Sequence, residues 1–421
     1  MKRKQVTAIL LGAGHRGADA YASYALQYPN ELRFVGVAEP RKDRREEFQK
    51  VHNIEKKYAV SSWEELLAFP RLADMALICT QDHMHIEPMM KAMELGYDIL
   101  VEKPISPNKE ELTQLKEKIK NYEGMISVCH VLRYSPFFRK IKEILNAGIL
   151  GELINIQHME SIGFWHMAHS FVRGNWRNTG ESSPIILAKT CHDFDILLWL
   201  SGKRCLQVSS FGSLQLFRED KAPKGATKRC TDGCPHRTSC PFYAPKFYLE
   251  HPKAIVDGFR KVVTIDDSVE GLMDALKTGP YGRCVYACDN DVADHQIVNM
   301  EMEDGLTISF TMSAFTNECE RTITIQGSRG ELKGWMEKDT IQVTDFATGD
   351  ETVYRLNTPK VGHSGSDASM IKELVGLIAQ GRQKDNISSA TQAIDSHLIA
   401  FAAEESRLNH GAVVKLGIEK V

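Results

Sequence analysis

The stretch VTAILLGAGHRG, Val6 to Gly17, limits most tightly what this chain can fold into. A short apolar run, Val6 to Leu11, breaks into Gly12-Ala13-Gly14-His15-Arg16-Gly17, and an apolar-periodic stretch follows from Ala18 to Tyr28. The order is strand, glycine turn, helix. Gly12, Gly14 and Gly17 make G-x-G-x-x-G, a weak pattern alone but one whose required context stands on both sides. Such glycines permit a tight turn and close backbone approach, and the helix N-terminus offers unpaired N–H groups to a pyrophosphate. A second apolar strand, Leu32 to Ala38, ends at Glu39, twenty-two residues after Gly17. A carboxylate there accepts hydrogen bonds from an adenosine ribose. Glu39 favours NAD, because it repels a 2′-phosphate. Arg41, Lys42, Arg44 and Arg45 leave NADP open, but mixed with Asp43, Glu46 and Glu47 they read better as the solvated face of a helix.

The alternation continues. Ala73 to Cys79 is a buried-type strand leading into Thr80-Gln81-Asp82, and His85 to Leu95 carries helix signals closed by Gly96. Ile99 to Val101 runs straight into Glu102-Lys103-Pro104. Ser106-Pro107 has the order of a cap and first turn, with Leu112, Leu115 and Ile119 on one face of the helix it would open. Met125 to Cys129 adds a further strand. The pattern predicts an α/β chain with an N-terminal doubly wound parallel sheet, in which ligands bind beyond the carboxyl ends of the strands. Lys103 stands at one such end and the Gly12 turn at another, which puts a lysine in the cofactor crevice.

At 421 residues the chain is too long for one ordinary domain. The expected division is 1–128 for the cofactor domain and 129–421 for a substrate domain. Net charge of −3 gives no electrostatic footprint for nucleic acid or an anionic membrane. The apolar run near the start is too short for a signal peptide, and none approaches the length of a membrane span. A cytoplasmic location is expected. Alternating strands fill IVNMEMEDGLTISFTMSAF, RTITIQGSRGELKGWM and TIQVTDFATGDETVYRL, joined by turn residues, and amphipathic helices run near Met370 to Ile378 and Ile394 to Leu408. Between them a Cys-rich insertion at about 228–252 spaces Cys230, Cys234 and Cys240 as C-x3-C-x5-C among glycine and proline. That suggests a structural zinc knuckle needing a fourth ligand, with His236, Cys284 or Cys288 as candidates, or else reduced thiols in a loop. Asp289, Asp291, Asp294 and His295 cluster before a strand, where substrate hydroxyls or turn chemistry would use them.

Strand-GAGHRG-helix, Glu39, His85 and Glu102-Lys103-Pro104 together resemble the Gfo/Idh/MocA family of nicotinamide-dependent oxidoreductases. Arg133-Tyr134 with Pro136, the glycine turn GILGELINIQ, and CHDFDILLWLSG from Cys191 extend the likeness in the family's order. The resemblance implies a Rossmann domain followed by an α/β domain on a large, open, mostly antiparallel sheet that joins chains into homodimers or homotetramers. It implies hydride transfer between NAD and a hydroxyl of a sugar, polyol, inositol or glycoside. A second implied chemistry is glycoside cleavage with recycled NAD, by oxidation, elimination and re-reduction; an NAD-binding sensor is a third possibility. By the same resemblance Gly12, Gly14, His15, Arg16, Gly17, Glu39, Thr80, His85, Glu102 and Lys103 contact the cofactor, and Lys103 and His192 share proton transfer. The chain departs from the pattern at Ala188, where the family commonly has an aspartate. Lys189 follows as a polar substitute, and Asp195 lies on the same helical face as His192. Arg173 and Trp176, in SFVRGNWRN, are candidates for a substrate wall.

Overall fold

The computed structural model describes residues 4–256, 258–358 and 365–417. Six parallel strands form the first sheet in the order β3-β2-β1-β4-β5-β6. They are β1 (Val6–Leu11), β2 (Leu32–Ala38), β3 (Ala59–Val60), β4 (Met75–Ile78), β5 (Asp98–Val101) and β6 (Ile126–Val128). β1, β4 and β5 carry almost unbroken apolar side chains because helices cover both faces of the sheet. The order reverses between β1 and β4, which opens a crevice beyond their carboxyl ends.

The second sheet has nine strands in the order β14-β13-β12-β11-β7-β10-β9-β8-β15. These are β7 (Leu153–Ser161), β8 (Cys205–Ser213), β9 (His295–Met302), β10 (Thr307–Ser313), β11 (Glu320–Gly327), β12 (Gly330–Trp335), β13 (Thr340–Asp345), β14 (Glu351–Arg355) and β15 (Val414–Lys415). Only β7 and β10 pair in parallel; every other neighbour is antiparallel. β9 and β11 alternate buried with more exposed residues, so one face packs on a core and the other stays open.

Two C-terminal helices pack on the first sheet, and the second of them also reaches the other sheet. Met370, Ile371, Leu374 and Val375 of the helix Ser366–Gln380 join the core on one face of the first sheet. The helix Ala390–Leu408 divides its apolar residues: Ala390, Ala393 and Ile394 enter the core on the opposite face, whereas Ile399, Ala400 and Ala403 enter that of the second sheet. His397 sits at the division, fully buried. Its Nε2 accepts from the Ile105 N–H at 3.0 Å, and its Nδ1 donates to Ala393 O at 2.7 Å. The long helix thus anchors the turn that carries Lys103.

Burial pulls the His397 pKa down to about 3, and burial followed by the nearby Arg173 charge does the same to His169. The unfolded chain protonates such rings near pH 6.5, the native state only near 3. Between those values the unfolded state binds more protons, so stability must fall as pH drops through that window. Urea denaturation from pH 7 to 4.5 should show this loss. His397→Gln should flatten the slope by up to about 1.4 kcal/mol per pH unit.

Two local expectations differ from the fold. The helix expected from Ser106-Pro107 starts instead at Lys109, because the Asn108 side chain accepts from the N–H groups of Glu110 and Glu111. Ser106 sits outside it, its hydroxyl accepting from Asn108 N and donating to Glu111. The single helix expected over Ala18 to Tyr28 is two pieces. A widened turn over His15–Tyr21, in which Ala22 N donates to Gly17 O five residues back, is followed by a short helix, Ser23–Gln27. No described helix is long and apolar enough to cross a membrane.

Candidate functional site

The glycine turn lies flush against the end of β4. Gly12 has φ +93°, and a Cβ there would stand 2.4 Å from Cys79 O; at Gly17 it would stand 2.3 Å from Gly12 O. Any side chain would push the turn off the sheet and close the space a pyrophosphate needs. Gly12→Ala is therefore expected to weaken NADH binding at least tenfold, about 1.4 kcal/mol, as read by fluorescence titration. Glu39 is buried where β2 ends, one oxygen accepting from Ala13 N at 2.8 Å and the other from Arg41 N at 3.0 Å. This carboxylate fixes the glycine turn and stands where a ribose would meet it. A Cβ at Gly14 would meet only the end of the Arg44 side chain, at 3.8 Å, while His15 pairs with Asp19 at the exposed surface.

Arg16 turns inward. Its guanidinium donates to Glu102 at 2.9 Å and to Asp367 at 2.7 Å, and it caps the Tyr21 ring. Glu102 also accepts from the Tyr21 hydroxyl at 2.5 Å and from Lys103 N at 3.0 Å. Burial alone would raise the Glu102 pKa, but the charges of Arg16 and Lys103 hold it below the ordinary value. A carboxylate so held fixes the backbone from which Lys103 projects. The Lys103–Pro104 peptide is cis. His85, fully buried, spans Pro104 O at 2.8 Å and Thr80 O at 3.1 Å, tying the ends of β4 and β5 together; the Thr80 hydroxyl donates to Met84 O.

Lys103 Nζ crosses to the second domain and donates to Ala188 O at 2.7 Å. Ala188 ends a short helix, Ile185–Ala188, and His192 lies in the first turn of the next, Cys191–Ser201. The His130 ring packs edge-on against both His192, at 5.5 Å, and His397, at 5.7 Å. Burial, then Arg133 and Lys103, push the His130 pKa well down. A lysine and a line of three histidines thus meet where the two domains face each other. Ser182 closes the same side, donating to Asp82 at 3.3 Å.

The other candidates have firm partners. Both Asp195 oxygens accept from the buried Arg133 guanidinium at 2.7 Å. Lys189 pairs with Glu160 at 3.2 Å, and Arg321 links Glu160 at 3.0 Å to Asp193 at 2.8 Å, which His158 also contacts. Arg173 is buried away from the crevice, donating to Arg283 O and Phe242 O at 2.7 Å. Trp176 is partly exposed beside Phe171. Asp289 pairs with Arg177 and Arg283, Asp291 holds Thr179, and Asp294 accepts from Gln215 N and Leu216 N: all three anchor loops. Among the described residues no group of three or more His, Cys, Asp or Glu side chains stands where it could hold a metal ion, the expected set Cys230, Cys234 and Cys240 included.

A parallel dinucleotide sheet with an acidic β2 end and a lysine at the end of β5 defines a nicotinamide-dependent oxidoreductase. Comparison with known proteins agrees. The description "Oxidoreductase family, NAD-binding Rossmann fold" matches residues 6–130, and the "GFO/IDH/MocA C-terminal domain" matches residues 138–333. The chain belongs to the Gfo/Idh/MocA oxidoreductase family, and NAD is its cofactor. YteT of Bacillus subtilis is 23% identical over 334 residues, covering 75% of each chain. The NAD(+)-dependent scyllo-inositol 2-dehydrogenase of the same organism is 27% identical over 222 residues, covering 50% of this chain but 58% of its own. The fold also matches levoglucosan dehydrogenase solved with NADH and levoglucosan, at TM-score 0.70 and 16% identity, over 98% of this chain and 100% of that one.

Proposed function

We propose that the protein oxidises a secondary hydroxyl of a sugar, polyol or inositol. The bridge from Lys103 Nζ to Ala188 O, four residues before His192, carries this reading most. The Gly12–Gly17 turn would hold the pyrophosphate, Glu39 the adenosine ribose, and the Glu102–Lys103 turn the nicotinamide end. Bound NAD would supply the hydride acceptor for the carbinol carbon. Lys103 would take the hydroxyl proton, with the His192 ring as its acid–base partner. A substrate hydroxyl would replace Ala188 O as the lysine's partner. Lys189, held by Glu160, would stand beside that hydroxyl as a donor. The inositol dehydrogenase and levoglucosan dehydrogenase relatives support a polyhydroxylated substrate.

Three wider features belong to the same reading. The cofactor domain ends near residue 128, the open face of the second sheet joins copies of the chain, and the protein works in the cytoplasm. Exposed Phe211 and Ile297 at that sheet support the second. Ten cysteines without a described disulfide fit a reducing compartment.

The position of Ala188 also favours a second reading. Where Lys103 meets a neutral carbonyl rather than a carboxylate, proton handling differs from that of the common family set, which suits a redox-neutral glycoside cleavage. Incubation with NAD+ and a panel of polyols, sugars and chromogenic glycosides separates the cases. NADH build-up with a polyol or sugar supports the dehydrogenase. Glycoside cleavage without net NADH supports the second reading, and bound NAD without turnover on any compound points to a sensor.

A further inference from the structure

Four thiols, three of them in the cysteine insertion, surround one small void, and no step of the hydride chemistry uses them. Cys230, Cys234, Cys240 and Cys284 line a cavity of about 10 Å³ together with His236 and Tyr243. Three of these cysteines are close in sequence; the fourth is brought in by the fold. Arg229 and Arg283 form an antiparallel bridge, with Cys230 N donating to Gly282 O and Cys284 N to Lys228 O, both at 2.9 Å. Gly233, at φ +75°, supplies the left-handed residue that turns the chain between Cys230 and Cys234.

One further observation gives these thiols a purpose. It is Arg173. Its guanidinium is buried, its donors go to the carbonyls of Arg283 and Phe242, and Nη2 lies 3.7 Å from Cys230 Sγ. No carboxylate pairs with it among the described residues, and a buried cation without a counter-charge is costly. The negative charge it lacks would be supplied by metal-bound thiolates.

We infer that Cys230, Cys234, Cys240 and Cys284 form a closed structural site for one zinc ion. The sulfurs do not stand at ligand distances as described, but rotation about a single χ1 moves each Sγ by roughly 3 Å. Binding replaces four S–H bonds with four Zn–S bonds and releases four protons, leaving a centre of charge −2 beside Arg173. The void suits a single ion better than an iron–sulfur cluster. Cys288 stays outside, its thiol donating to Cys284 O at 3.2 Å. His236 is left as a wall residue, its Nε2 bonded to Lys224 O at 2.9 Å. The site would pin the insertion to Arg173, at the end of the turn His166 to Gly174 that flanks the second domain's core.

The test is metal analysis of the wild-type chain purified without chelator. About one zinc per chain is expected, released when an organomercurial blocks the thiols. Cys234→Ser and Cys284→Ser should each lower bound zinc at least tenfold, whereas Cys288→Ser should retain it. Because a ligand variant can fail to fold, the wild type is also loaded with Co2+, which should give the intense visible bands of a tetrahedral tetrathiolate. Zinc below about a tenth per chain with no such cobalt spectrum would overturn the site. Iron in place of zinc would overturn the metal, and full zinc retention in Cys284→Ser would overturn the ligand set.

Discussion

Lys103→Ala is expected to lower kcat by about a thousandfold, within the range for loss of a positioned acid–base group. NADH affinity should change by no more than about threefold, because the turn that would hold the pyrophosphate is built by Gly12, Gly17 and Glu39 and does not involve the lysine side chain. The fold should survive. Among the described residues Lys103 makes one side-chain hydrogen bond, to Ala188 O, and the turn beneath it is held separately by Glu102, His85 and His397. A fall in kcat with binding and melting temperature kept would assign the lysine to the chemistry. Equal loss of binding and activity would make it a cofactor-positioning residue.

The second large effect concerns stability. Asp195→Ala should destabilise the protein by about 3–5 kcal/mol, the usual result of stripping one partner from a buried pair. Arg133 would keep its contacts to Ile387 O and Gln392 but lose both carboxylate oxygens inside the core. Replacing both residues by apolar ones of similar volume should recover most of that loss. The measurement is urea denaturation of both variants beside the wild type. A destabilisation under about 1 kcal/mol in the single variant would mean that the pair behaves like a surface ion pair.

These two residues show what the sequence reveals and what it hides. β1 and β2 have the bounds expected from their apolar runs, since a doubly covered strand must be apolar throughout. The Gly12 turn and Lys103 were legible because their chemistry is written in adjacent residues. Asp195 was legible as a polar residue one turn from His192, but its partner Arg133 lies 62 positions away. Spacing along a helix carries no trace of such a pairing. Likewise nothing local ties Glu160 to Arg321, or His397 to the Lys103 turn. His130 and His397, which line up with His192, drew no attention, since a single histidine in an apolar stretch looks like core. Ala59–Val60 was missed as a strand because two residues carry no periodicity. The start of the helix after β5 went astray because Ser106-Pro107 and Asn108 offer competing caps, and geometry alone chooses Asn108.

The central claim is that nicotinamide and substrate hydroxyl meet at Lys103, and a crystal structure of the protein with NAD+ tests it most directly. The predicted result has the pyrophosphate over the Gly12–Gly17 turn and the nicotinamide C4 within about 4 Å of the space between Lys103 Nζ and the His192 ring. A nicotinamide bound outside the crevice between the two domains, with Lys103 Nζ still on Ala188 O and screened from the ring, would contradict it.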